Sequence, residues 1–65
     1  MGAMERNPRK IIQRLQSEGW THVRTKGSHM IFKHPAKGMT IVPNHKGDLS
    51  SLVARSIAKA AGWKD

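Results

Sequence analysis

Apolar residues recur at two different spacings along this chain, and the change of spacing divides it into a helix, three strands and a second helix. In NPRKIIQRLQSEGW, Ile11, Ile12 and Leu15 fall at helical spacing, with Arg9, Lys10, Arg14 and Gln16 left for the wet face. Asn7 is suited to cap the first turn, and Pro8 stands where its missing N–H costs nothing. Gly19 suits the left-handed position past the helix end, which places Trp20 back against Leu15. The last stretch, GDLSSLVARSIAKAAGW, repeats the scheme. Asp48 is the expected N-cap, and Leu49, Leu52, Val53, Ile57 and Ala60 are the expected apolar stripe. Gly62 and Trp63 are expected to end the helix as Gly19 and Trp20 end the first.

Between them, HVRTK, SHMIFKH and MTIVP read as short strands of β-branched and aromatic residues. Gly27 separates the first two, and a turn bearing Pro35 and Gly38 separates the second and third. The connections are too short for parallel crossovers, so an antiparallel meander is expected. The predicted fold is α+β, in the order α-β-β-β-α. One face of a three-stranded antiparallel sheet packs against both helices and the other stays open. Alternation along the middle strand puts His29, Ile31 and Lys33 on one face and Ser28, Met30, Phe32 and His34 on the other. Both sets mix apolar and polar members, so periodicity leaves open which one is buried.

Length and composition narrow this picture. Sixty-five residues allow one domain with a small core. There is no cysteine, so neither disulfides nor thiolate metal sites are available. No apolar run approaches a membrane span, and a soluble cytoplasmic protein is the expectation. Met1-Gly2-Ala3 ahead of Met4 reads as an expression scar, leaving residues 4–65 as the single domain.

Charge changes the picture more. Twelve Lys and Arg face four Asp and Glu, a formal +8, which points to a polyanionic partner. No carboxylate lies between Glu18 and Asp48. That interval holds Arg24, Lys26, Lys33, Lys37, Lys46 and all four histidines. A site there is cationic, and its only proton-transfer groups near neutral pH are imidazoles. The histidine spacings match no metal-ligand pattern, and no metal site is expected. Ser28 and His29 are adjacent and point apart with no acid to orient the ring, so a serine triad fails as well. What remains is an imidazole in a basic groove, which suits cleavage of a phosphodiester whose own 2′-OH is the nucleophile. Composition and spacing alone still favour an ordinary surface role for His29. His22 and His34 read as structural or incidental, and His45 as a loop residue or a phosphate contact.

The motifs shift that balance. An I-I-x-x-L helix and EGW are followed by KGSHMIFKHP, TIVPNHKGDL and a final AAGW, in this order over about residues 7–63. The chain thereby resembles the HicA family, the toxins of HicAB toxin–antitoxin systems. The G-S-H…H-P segment is the most specific part and V-P-x-H-x-G-x-L the second. The resemblance implies a fold similar to a double-stranded-RNA-binding domain and a metal-independent endoribonuclease that cleaves mRNA and inhibits translation. It makes His29 the catalytic residue and general acid/base, with no cofactor, and a HicB-type antitoxin the partner. Many members carry a second histidine after the motif one, where this chain has Met30. In this reading Gly27 and Ser28 shape the approach to the phosphate. Arg24, Lys26, Lys33, Lys37 and Lys46 are the RNA-backbone contacts, and binding falls steeply with salt. The rival is a non-catalytic module that reads double-stranded RNA by shape.

Overall fold

A computed structural model describes residues 5–44 and 46–63; His45 and the residues of the expected N-terminal scar lie outside the described set. The elements follow the expected order: α1 (Pro8–Ser17), β1 (Thr21–Lys26), β2 (His29–His34), β3 (Gly38–Pro43) and α2 (Ser51–Ala61). The sheet has strand order β1-β2-β3 and both pairings are antiparallel. No described helix is long and apolar enough to cross a membrane.

α1 begins as its sequence dictates. The Asn7 side chain accepts from the Arg9 and Lys10 backbone N–H groups, and Pro8 occupies the first turn. It ends in a Schellman motif, with Trp20 N donating to Leu15 O at 3.0 Å and Gly19 N to Gln16 O at 3.3 Å. Gly19 holds φ +97, and a Cβ there would lie 3.2 Å from the His34 ring, so both backbone and space demand glycine. α2 ends the same way, with Trp63 N donating to Ala58 O at 2.8 Å and Gly62 in the left-handed region.

The start and the buried stripe of α2 differ from expectation. Its N-cap is Ser50, whose hydroxyl accepts from Val53 N at 3.2 Å; Asp48 lies two residues earlier and is exposed. The reason is Leu49. Its side chain is fully buried, and its backbone is clamped to the N-terminal segment, Leu49 N donating to Arg6 O and Arg6 Nε to Leu49 O, each at 2.8 Å. Leu49 thus occupies the residue just before the cap, and Ala54, at the fourth helical position, is also buried, the placement of a hydrophobic staple. The helix therefore starts later, and its buried face is Ala54, Ile57, Ala58 and Ala61. Leu52 points outward and is 77% exposed.

The core settles which sheet face is covered. Ile11 and Leu15 of α1, Ile57 and Ala61 of α2, Trp20 and Leu49 close over Phe32 and Val42, with Met30 packed at the edge. Phe32 pairs with Thr40, and Met30 with Val42, so Met30, Phe32, His34, Thr40 and Val42 face the helices. The set containing His29, Ile31 and Lys33 is on the open face. Ile31 is nevertheless buried, because it lies at the middle of the central strand between Arg24 and Ile41.

Candidate functional site: the open face of the sheet

β1 and β2 are joined by the two-residue turn Gly27-Ser28, closed by the pair Lys26↔His29. Gly27 has φ +61 and Ser28 does not have positive φ, the pattern of a type II′ hairpin that needs glycine first. The turn therefore sets His29 at the first position of the central strand, directly opposite Lys26 on one side and Pro43 on the other. Directly opposed residues in such a ladder have Cβ atoms about 4.5–5.5 Å apart, so the Lys26 chain starts beside the imidazole. A backbone hydrogen bond from Asn44 N to Ser28 O, 2.6 Å, ties the segment after β3 to this turn. The two motif segments, KGSHMIFKHP and TIVPNHKGDL, thus meet in space at His29.

The same face carries Arg24, opposite Ile31, and Lys33, opposite Thr21 and Met39. Lys33 is four residues from His29 along β2, about 13 Å at the usual rise per residue. A bulge in β1 contributes to this arrangement. The register shifts between His22 and Arg24, leaving Val23 as the extra residue. Counting back from Lys26, strict alternation would bring His22 onto the open face. The bulge turns it under instead, where its ring lies 5.2 Å from that of Phe32 and its Nε2 meets Thr25 Oγ1 at 2.9 Å.

No acidic side chain is among the residues this face presents: Thr21, Arg24, Lys26, His29, Ile31, Lys33, Met39, Ile41 and Pro43. Met39 and Ile41 are 53% and 42% exposed, so the cationic surface also has an apolar strip along β3. The imidazole of His29 is exposed and makes no hydrogen bond or ion pair with any described residue. Among the described residues, no three His, Asp or Glu side chains gather closely enough to hold a metal ion.

The remaining sequence-nominated residues are spread more widely. Arg24, Lys26, Gly27, Ser28, His29 and Lys33 share the β1–β2 hairpin. Lys46 is exposed in the segment after β3, two residues beyond Asn44, whose backbone N donates to Ser28 O. Lys37 is at the opposite end of the sheet, and its Nζ donates to Ala61 O at 2.9 Å, satisfying a carbonyl at the C-terminus of α2. That engagement sets Lys37 apart from the hairpin cations.

His34, the second histidine of the motif, is held by backbone on both nitrogens. Ala36 N and Lys37 N donate to Nδ1 at 3.0 and 3.1 Å, so Nε2 carries the hydrogen and donates to Glu18 O at 3.1 Å. Its ring also packs against Trp20, 5.3 Å between centroids. Beside it, Trp63 Nε1 donates to Glu18 Oε1 at 2.6 Å, and Arg14 reaches both the Glu18 carboxylate and the Trp63 face. The Trp63 indole N–H and the Arg14 guanidinium hold the Glu18 carboxyl below the usual carboxylate range, against partial burial, which acts the other way.

Fold and site together define a class: a one-sheet α+β domain, covered on one side by two helices and presenting a cationic, histidine-bearing face on the other. The chain belongs to the HicA family, since the family model for the HicA toxin of bacterial toxin–antitoxin systems matches residues 8–63. It is the toxin member of such a system, and a cognate antitoxin is its partner. Among curated proteins, none matches the chain.

Proposed function

We propose that this toxin is a metal-independent endoribonuclease that cleaves mRNA and so inhibits translation, with His29 as its proton-transfer residue. The observation that carries the proposal is the contrast in engagement. His29 is exposed, free of hydrogen bonds to described residues, and placed by a tight turn among Arg24, Lys26 and Lys33 with no acid on its face.

The chemistry follows from those groups. RNA brings its own nucleophile. Neutral His29 takes the proton of a 2′-OH as that oxygen bonds to the adjacent phosphorus. The bond from phosphorus to the 5′-oxygen breaks, and the departing oxygen receives a proton from the resulting imidazolium or from water. The net change is a transesterification, with a 2′,3′-cyclic phosphate on one fragment and a 5′-OH on the other. Lys26, fixed opposite His29, neutralises the charge that develops on the phosphoryl oxygens. Arg24 and Lys33 hold the flanking backbone, and Gly27, without a side chain, and Ser28 leave room for the phosphate beside the turn. Lys46 extends these backbone contacts past the turn, whereas the role of Lys37 is to cap α2.

The partner reading follows from the same face. An antitoxin of HicB type that covers it would bury Met39 and Ile41 and set its own acids against Arg24, Lys26 and Lys33. Toxin so covered cannot admit RNA, and inhibition is then simple competition.

The test is an incubation of purified protein with a long mRNA in excess EDTA, beside His29→Ala and a mock preparation. Cleavage by the wild type alone supports the proposal. Intact RNA in every lane, with salt-sensitive binding by both proteins, would establish the non-catalytic RNA-binding module instead.

A further inference from the structure

A cleft of about 460 Å³ opens between the first turn of α1 and the segment after β3, and the chemistry proposed for His29 does not use it. Its size falls in the range of about 300–1,000 Å³ typical of small-ligand sites. Pro8, buried, and Ile12, half-buried, supply an apolar floor. Arg9 and Lys46 bring a cation to either wall, and Asn44 and Gly47 complete the rim. The free N–H groups at the start of α1 are already engaged by Asn7 Oδ1, at 2.9 and 3.3 Å, so the positive character of the cleft comes from side chains and not from the helix end. The Asn44 amide side chain has no partner among the described residues.

The position of the cleft matters as much as its lining. Asn44 N donates to Ser28 O, and the preceding residue, Pro43, is the cross-strand partner of His29. One wall of the cleft is therefore continuous with the turn that presents His29. An apolar floor, an amide at the rim and two cations form a set that matches a nucleotide, with base, base edge and phosphates as counterparts.

We infer that this cleft is a subsite for one nucleotide of single-stranded RNA flanking the phosphate at His29, its base on Pro8 and Ile12, its edge at Asn44 and its phosphate at Arg9 and Lys46. The inference rests on the reading of this protein as a ribonuclease. It makes the cleft the place where sequence preference is set, since an amide at a base edge discriminates where a cation at a phosphate does not.

The experiment is an amide NMR titration of the full-length His29→Ala protein with a dinucleotide and a hexanucleotide of single-stranded RNA. The expected result is that both ligands shift the amides around Lys26–Ser28, whereas the hexanucleotide alone also shifts Ile12, Asn44 and Gly47. Arg9→Gln combined with Asn44→Ala then weakens hexanucleotide binding about tenfold and leaves dinucleotide binding unchanged. Hexanucleotide shifts confined to the hairpin overturn the subsite and leave the ribonuclease reading standing. Shifts confined to the cleft overturn the placement of the subsite beside a phosphate at the hairpin. No shift in either region overturns both, and the spectrum of each variant reports whether it is folded.

Discussion

His29 and His34 begin and end the same six-residue strand, and their surroundings are opposite. At the His34 end, Glu18, Trp20, Lys37 and Trp63 form a closed set of contacts. Each helix terminates there in Gly-Trp, and both nitrogens of His34 are consumed by backbone. At the His29 end a tight turn exposes an imidazole without hydrogen bonds to described residues, among cations without acids on their face. One end of β2 uses a histidine to join α1 to the β2–β3 turn. The other leaves a histidine exposed, with no hydrogen bond to any described residue. The difference teaches that residue type is a weak guide to role in so small a domain. What separates the two is whether the ring's polar atoms are already satisfied.

The sharpest way to break the comparison is to exchange the consequences of removing each ring. His29→Ala is expected to lower RNA cleavage by about 10²–10⁴-fold, the usual scale of general acid–base catalysis, with toxicity in cells lost in step. Its unfolding midpoint should move little, because an exposed side chain without partners changes stability by about 0.5 kcal/mol or less. A fall in midpoint comparable to the loss of activity would make His29 structural.

His34→Ala should do the reverse. It leaves Ala36 N, Lys37 N and Glu18 O without their partner and removes packing against Trp20. A loss of about 1–3 kcal/mol is expected, and each kcal/mol lowers the midpoint by about 4–8 °C in a domain of this size. Cleavage measured well below that midpoint should be nearly unchanged. Abolished cleavage in a folded protein would end the division of labour between the two histidines.

Gly27→Ala probes how the turn aims His29. An L-residue held at φ +61 costs about 1–2 kcal/mol. The expected outcome is a lower kcat with a small drop in midpoint, and full activity would show that the turn geometry is not needed for aim.

The smallest effect concerns Glu18. Its carboxyl titrates lower in the folded state than in the unfolded chain, so the unfolded state binds more protons on acidification. The stabilisation is present in full above the ordinary carboxylate range near 4.5 and is lost as pH falls through the depressed folded value. Glu18→Gln should flatten the acid side of a plot of midpoint against pH, and identical slopes for the two proteins would remove Glu18 from the acid response.

Much of this was legible in the residues. The element order, the Asn7-Pro8 start of α1, the paired Gly-Trp helix ends, the hairpin at Gly27 and the carboxylate-free cationic interval all rest on signals spanning a few neighbours. The same holds for the place of His29 at the start of β2, set by the Gly27-Ser28 turn just before it. Other features were not legible. The residues point to Asp48 as the cap of α2, and Ser50 takes that place because Leu49 is clamped to Arg6, 43 residues away. Leu52 fitted a stripe that α2, starting later, turns outward. Lys37 was indistinguishable from the hairpin cations, and only its bond to Ala61, 24 residues on, separates them.

The sequence by itself determined the α-β-β-β-α order, the family and the histidine at the turn, because caps, turns and periodicity are local properties of the chain. The tertiary structure alone decided which face of β2 is covered. Phe32 and Ile31 are both apolar, and alternation offers each an equal claim to the core. Phe32 prevails because the face it shares with Val42 packs beneath Ile11, Leu15 and Ile57. That packing, made between residues far apart in the chain, is what leaves His29 facing outward.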